Sequence, residues 1–184
     1  MDTQAAGLLT ELEGIRARAN ALMDRVAGDE AFGWQPDAGR GWSVGQCLDH
    51  LTQTNRLYVA GIRDALAGMP RSATPVLAPI RSSWFGRKFA ASMEPGKGRY
   101  RSPGKVIPRS ATNRAQVWTE FQRELDEIEA LIKDGATIDL NRAALPNPFV
   151  GVVRMRAGTA FRVLLAHMRR HLQQGENVIA RRRA

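Results

Sequence analysis

The chain has 184 residues, of which 43% are hydrophobic and 24% are charged, and it carries a net charge of +9. This composition is that of a soluble globular protein long enough to bury a core, and we expect residues 1–184 to form one domain. The first residues are acidic, which does not fit a secretory signal, and no apolar run approaches the ~20 residues that cross a bilayer. Cys47 is the only cysteine, so no internal disulfide can form. We therefore expect a cytoplasmic protein that does not associate with a membrane.

Two amphipathic helices are predicted in the first part of the chain. Apolar residues spaced alternately by four and three predict the first helix over about residues 3–27. Ser43 followed three residues later by Gln46 forms a capping-box pattern, so we expect the second helix to begin there. That helix ends near Gly68 and Pro70, since both residues disfavour its continuation.

A long, basic and proline-rich connection follows the second helix, between residues 70 and 110. A connection of about 40 residues is uncommon inside a compact domain and is usually functional or partly ordered. Trp84, Phe85, Phe89 and Met93 predict a short helix that packs on the other helices. Glu94 is the one acid among eight basic residues: Arg81, Arg87, Lys88, Lys97, Arg99, Arg101, Lys105 and Arg109. We interpret this run as solvated surface, with weak anion binding as the alternative; it has no base-reading motif, so we do not expect a nucleic-acid partner.

The third and fourth long helices complete an expected all-α fold. The third follows the Ser110–Thr112 region and ends at Asp134-Gly135, and the fourth covers about residues 156–180. The β-branched cluster 150–153 is too short to build a sheet without partners. Four helices of ~24 residues, each about 36 Å long, suit an antiparallel four-helix bundle with a long connection between its second and third helices.

Two of the three histidines lie one helical turn apart on the fourth helix. His167 and His171 have the spacing i, i+4, which places both imidazoles on one face. They continue an apolar stripe through Ala160 and Leu164, so they replace core residues. Such a pair is more often a surface feature or a hydrogen-bonded core feature than a metal site. Two buried imidazoles are nevertheless costly unless they are hydrogen-bonded or ligated, and a metal ion would occupy their lone pairs.

The third histidine, His50, lies at the inward border of the second helix. It can reach a neighbouring helix about 8–10 Å away. Three neutral imidazoles would leave an open coordination position, as in catalytic rather than structural metal sites. Zn²⁺, Ni²⁺, Fe²⁺, Mn²⁺ and Co²⁺ all accept nitrogen ligands, so the identity of one divalent ion stays open. The His-Glu-x-x-His pattern of zinc proteases is excluded, because Met168 follows His167.

Three segments in order resemble DinB-like (YfiT-type) proteins. Gly41-Trp-Ser-Val-Gly-Gln-Cys-Leu-Asp-His50-Leu resembles the start of their second helix, and Pro146-Asn-Pro-Phe149 resembles a turn before their last helix. His167-Met-Arg-Arg-His171-Leu-Gln-Gln resembles their last-helix histidine pair. The resemblance spans Trp42 to Gln174 and implies a four-helix bundle, commonly a homodimer, in which His50, His167 and His171 hold one divalent metal ion. Gln46 departs from the glutamate found in many relatives, but a capping role survives the exchange.

The resemblance implies a function without naming a substrate. Characterised relatives include thiol-dependent transferases and isomerases, and many members have no known activity. We therefore predict a divalent-metal-binding protein with an open three-histidine site, which acts as a metal-dependent transferase of a low-molecular-weight thiol or hydrolase of a small molecule. The alternative is a non-catalytic metal-binding or stress-related interaction protein. No catalytic residue beyond the three ligands is assigned.

Other residues near the site carry weaker expectations. We expect Cys47 to be a buried structural cysteine rather than a metal ligand. Gln174 lies on the same stripe as the histidines. It either hydrogen-bonds a metal-bound water or is an ordinary polar residue of the helix. Asn55 and Tyr58 are candidates for the cavity mouth. The four tryptophans are expected to complete the core rather than line a pocket: Trp34, Trp42, Trp84 and Trp118.

Overall fold

A computed structural model describes residues 3–96 and 102–183. Six α-helices lie in this part of the chain: α1 (Gln4–Asp24), α2 (Gly28–Gly33), α3 (Val44–Ala67), α4 (Trp84–Ser92), α5 (Arg114–Asp134) and α6 (Ala157–Arg183). Two strands, β1 (Ala144–Pro146) and β2 (Arg154–Arg156), pair antiparallel, and short 3-10 turns cover Gly104–Val106 and Gly135–Thr137. The expected all-α class is confirmed in its main feature, because helices account for most of the described residues.

The long helices begin where their capping residues predict. The Ser43 side chain accepts a hydrogen bond from the Gln46 N–H, and the Gln46 side chain accepts one from the Ser43 N–H, so the predicted capping box is present. Thr3 caps α1 and Asn113 caps α5 through the same kind of side-chain acceptor. The third predicted helix thus begins just after the expected cap region.

Four long helices enclose the apolar core. α3 packs against both α5 and α6, and α1 packs against the same two helices from the other side. The stripes predicted for them are buried, as Leu12, Leu48, Phe121 and Leu164 show. The short helix expected from the aromatic residues near 84–93 is α4, and it packs on α6. Gly86 permits this contact, since a Cβ there would lie 2.9 Å from Thr159 Cγ2.

The first turns of α3 are buried on every side. All residues from 43 to 52 are buried, because α2 and the segment around Gly104–Val106 cover the face that the other long helices leave open. This arrangement explains why His50 is buried although it lies beside the main apolar stripe rather than on it. Neither α2 nor this cover was expected from the sequence.

Two local expectations were wrong. Trp84 is not part of the core, because 57% of it is exposed where α4 begins. The sequence also missed the short β-hairpin, whose strands have only three residues each. The β-branched cluster forms the connection between those strands, and Val152 is 93% exposed. Within the described ranges, no helix is both long and apolar enough to cross a membrane.

Candidate metal centre

The three histidines meet between α3 and α6. One ring nitrogen from each of His50, His167 and His171 lies within 4.8 Å of the others. The ring centroids are 4.6 Å apart for His50–His171 and for His167–His171, and 5.0 Å apart for His50–His167. Two adjacent turns of α6 therefore face one early turn of α3, across the contact between the two helices.

His50 is oriented by a backbone carbonyl from the long connection. Its Nδ1 lies 2.6 Å from the Val106 carbonyl oxygen, and both residues are buried. Because a carbonyl only accepts, the neutral His50 ring carries its proton on Nδ1. The lone pair is then on Nε2, which points toward the other two histidines.

His171 is oriented by its own helix. Its Nδ1 lies 3.0 Å from Gln174 Oε1, one turn further along α6, so this nitrogen donates and Nε2 carries the lone pair. The Trp42 ring stacks on His171, with 5.7 Å between centroids and 28° between planes. Gln174 thus acts on a histidine, and Trp42 lines the site rather than completing the core.

His167 keeps part of its surface open to the cavity and has one nitrogen without a partner. Its Nδ1 is buried and has no hydrogen-bond partner within the described residues. Its Nε2 lies 3.2 Å from His50 Nε2. Two ligand nitrogens about 2.0–2.1 Å from one tetrahedral ion stand about 3.3 Å apart. The nitrogen-only donor set and this spacing fit a divalent metal ion.

Burial keeps the imidazoles neutral. It lowers the pKa of His171 to about 3; repulsion between the protonated forms of His171 and His50 adds to this decrease, and the Gln174 hydrogen bond opposes it. Burial also lowers the pKa of His167 well below its usual range, and nearby His171 and His50 add to the effect. The pKa of His50 is lowered by burial, against the Val106 hydrogen bond and the Asp49 charge. Neutral imidazole is the form that binds a metal.

A buried ion pair holds the Val106 segment against α3. Asp49 Oδ2 accepts from the Arg109 backbone N–H at 2.8 Å, while Oδ1 accepts from Arg109 Nε at 2.9 Å and Nη2 at 2.6 Å. Gln53 Nε2 adds a fourth bond to Oδ2 at 2.9 Å. Asp49 is only 1% exposed. Asp49, next to His50, thus anchors the segment whose Val106 carbonyl orients the His50 ring.

A large cavity adjoins the histidines. Its volume is about 1430 Å³, which exceeds the 300–1,000 Å³ typical of small-molecule sites. Its walls come from α3, α4, α6 and the β-hairpin, and Tyr58 and Phe149 are among the aromatic lining residues. An open coordination position at the histidines would therefore face a space that admits a substrate.

The remaining predicted residues divide between cavity and core. Cys47 is 1% exposed and burial raises the pKa of its thiol, so the structural role expected for it is confirmed. Tyr58 lines the cavity, whereas Asn55 is fully buried and does not lie at a mouth. Trp34 and Trp118 pack against the core as expected. In the basic connection, Lys97, Arg99 and Arg101 lie outside the described residues.

Comparison with known proteins identifies the family. A family model described as the DinB superfamily matches residues 11–174. The chain belongs to the DinB superfamily. The match includes all three histidines, the aspartate that anchors the connection and the turn at Pro146–Phe149. Neither the comparison with curated proteins nor the comparison with solved structures found a match.

Proposed function

We propose that this DinB superfamily protein binds one divalent metal ion through His50, His167 and His171. The observation that carries the proposal is the convergence of three ring nitrogens within 4.8 Å, two of them with their lone pairs directed inward by Val106 and Gln174. One proton on His167 Nε2 can bridge the 3.2 Å to His50 Nε2, but a single cation is the partner that accepts the lone pairs of all three converging nitrogens together.

The arrangement of the site supports a catalytic role. An ion bound there supplies Lewis-acid chemistry and lowers the pKa of a water or thiol that reaches its open position. The three histidines act only as ligands, and Trp42 stacks on the His171 ring. Asp37 is the one carboxylate among the described residues that line the cavity, and it pairs with Arg181 about 15 Å along α6 from His171. Asp49 lies next to His50 but is bonded to Arg109 and does not line the cavity, so in the described part no carboxylate faces the cavity beside the histidines.

Metal content tests the binding proposal. Protein purified without a polyhistidine tag and analysed by mass spectrometry should contain close to one divalent ion per chain. His171→Ala should lose it, whereas Asn177→Ala, a change at an exposed residue lining the same cavity, should keep it. Wild-type protein that stays metal-free after incubation with Zn²⁺, Ni²⁺, Fe²⁺, Mn²⁺ and Co²⁺ would refute the proposal.

Turnover assays separate the two functions that a metal site allows. We propose a metal-dependent transferase of a low-molecular-weight thiol or a hydrolase of a small electrophile, because the ion adjoins a cavity that admits such molecules. The assay compares metal-loaded wild type with His171→Ala on a panel of thiols and small esters. Stoichiometric metal with no turnover on any of them favours the alternative, a non-catalytic metal-binding or stress-related interaction protein.

Family membership also supports proposals about architecture and assembly. We infer that α1, α3, α5 and α6 form a four-helix bundle, that residues 1–184 are one domain, and that the chain is a cytoplasmic homodimer. Mutual packing of the four long helices supports the first point. Sedimentation equilibrium gives the oligomeric state, and one cooperative unfolding transition is expected for one domain.

A further inference from the structure

The cavity is an elongated groove along α6, with the histidines near its middle. Lining residues on this helix extend from Thr159 to Arg181, a distance of about 33 Å at 1.5 Å per residue. His167 lies about 12 Å along the helix from Thr159. A ligand that reaches the histidines from the β-hairpin end must therefore be long.

The section between the hairpin and the histidines has mostly apolar walls. Val163 on α6, Phe89 on α4 and Phe149 after β1 line it, and Tyr58 packs edge-on to Phe149 at 6.2 Å between ring centroids. Burial raises the pKa of Tyr58 far above its usual range, so its hydroxyl stays neutral. These walls fit an apolar ligand body and offer no charge to a polar one.

Two arginines stand at the outer end of this section. Arg154 and Arg156 line the cavity and are exposed. Arg154 donates to the Ala144 carbonyl and Arg156 donates to the Arg142 carbonyl. No carboxylate of residues 3–96 or 102–183 lies within salt-bridge distance of either guanidinium. Carbonyls fix these side chains in place but do not neutralise them, which leaves a positive end on an apolar groove.

Exposed apolar side chains surround the same end. Phe85 at the start of α4 is 77% exposed, and Val150 and Val153 in the hairpin connection are about half exposed. All three line the cavity. Large exposed apolar side chains grouped at a cavity entrance are typical of a binding surface. The entrance thus combines apolar contacts with uncompensated positive charge.

We propose that this groove binds an elongated amphiphilic anion, its anionic group at Arg154 and Arg156 and its apolar body between α4 and α6. The other end of the molecule then reaches the three histidines. This inference rests on the proposed function, since it names the substrate class of that site. The charge of the entrance disfavours amphiphilic cations, and a small anion such as acetate cannot fill the apolar section.

Calorimetric titration of the metal-loaded protein tests the proposal. Decyl sulfate, a poor metal ligand, and decanoate are titrated below their micellar concentrations, with decyltrimethylammonium and acetate as comparisons. Both long anions should bind, and the cation and acetate should bind at least about tenfold more weakly. Equal affinity for decyl sulfate and decyltrimethylammonium would overturn the proposal.

Matched charge reversals locate the anion. Arg154→Glu combined with Arg156→Glu should weaken decyl sulfate binding by about tenfold, the loss expected for two exposed charge contacts. Arg123→Glu combined with Arg162→Glu makes the same change in net charge at exposed residues outside the groove, and should leave the affinity unchanged. An equal loss in both variants would mean that overall charge attracts the anion, and would refute the site.

Two further measurements separate this inference from the metal proposal. Titration of metal-free protein should still show decyl sulfate binding, because the arginines and apolar walls do not depend on the ion. One metal ion per chain without decyl sulfate binding refutes only the present inference. Decyl sulfate binding by wild-type protein that takes up none of the five divalent ions refutes only the metal proposal. Sedimentation with anionic phospholipid vesicles in the absence of binding to monomeric decyl sulfate would show recognition of a lipid surface, and would also overturn the groove as the site.

Discussion

Replacing Asp49 by asparagine should weaken metal binding at the proposed centre without changing any of the three histidines. The Asp49 carboxylate accepts three hydrogen bonds from Arg109 and one from Gln53. Asparagine keeps the size of the side chain but loses the charge, and its NH₂ group faces donors where an oxygen accepted. The segment that carries the Val106 carbonyl then loses its main attachment to α3, and His50 loses the acceptor that fixes its Nδ1–H.

The expected effects can be estimated from burial. Removing one member of a buried ion pair costs about 3–5 kcal/mol. Since the Arg109 side chain is 43% exposed and can return to water, we expect a loss below that range, about 2 kcal/mol of unfolding free energy. Loss of a group that orients a metal-binding histidine typically lowers metal affinity by about 10- to 100-fold. We expect a loss in that range for Asp49→Asn.

Three measurements check this prediction. Urea unfolding gives the stability, competition with a chromogenic chelator gives the metal affinity, and ¹⁵N NMR of metal-free protein reports the His50 tautomer, which should be Nδ1–H in the wild type and mixed in the variant. Asp134→Asn makes the same change in an exposed ion pair with Arg71, and should cost under about 1 kcal/mol with no effect on metal. A destabilised Asp49→Asn protein that is still folded and keeps the wild-type tautomer and metal affinity would refute the reasoning.

Three other changes follow from the site and its surroundings. Gln174→Leu removes the acceptor of His171 Nδ1–H and should weaken metal binding about tenfold in the chelator competition; an unchanged affinity would mean that Gln174 does not orient the ring. The Cys47 thiol, buried and with a raised pKa, should react with iodoacetamide only when the protein unfolds, and fast labelling of native protein would contradict its burial. Metal-free protein should lose stability as the pH falls from 7.5 to 5, by about 2 kcal/mol for each of His167 and His171. The reason is that their lowered pKa values keep both imidazoles neutral in the folded state, whereas the unfolded chain takes up protons below about pH 6.5. Urea unfolding at both pH values measures this loss, and equal stabilities would show that the folded histidines protonate freely.

Helix periodicity was sufficient to predict which way the α6 histidines face. In an α-helix the spacing of four residues fixes a common face, and the apolar neighbours of His167 and His171 identify that face as inward. The same reasoning located the long helices to within a few residues, because their caps and stripes are local signals. His50 lies beside the apolar stripe of α3 rather than on it. Periodicity was therefore only compatible with His50 as the third histidine of the site, and the family resemblance was what indicated it.

The other contacts of the candidate metal centre involve irregular segments, which carry no periodic sequence signal. The bonds from Asp49 to Arg109 and from His50 to Val106 join residues more than 50 positions apart, and no repeating pattern reports such a contact. The two three-residue strands are too short for alternation to be visible. The prediction that Trp84 lies in the core was wrong because hydrophobicity alone predicts burial. α4 packs on the outer side of α6, and its first turn, which contains Trp84, stays exposed.

The described basic residues of the connection are exposed, as predicted for solvated surface, but the segment from Val106 to Arg109 also contributes to the candidate metal centre. Arg109 belongs to the basic run, yet its backbone and guanidinium are tied to the buried Asp49, so its charge serves to hold the chain over α3. Val106, three residues earlier, places its carbonyl on His50 because of that attachment. Three histidines on two helices offer the ligand atoms for the proposed ion, but the irregular chain over α3 fixes which nitrogen of His50 faces the other two histidines. The proposed metal site is therefore built by α3, α6 and this segment together, and a variant that frees the segment should weaken metal binding while every histidine remains.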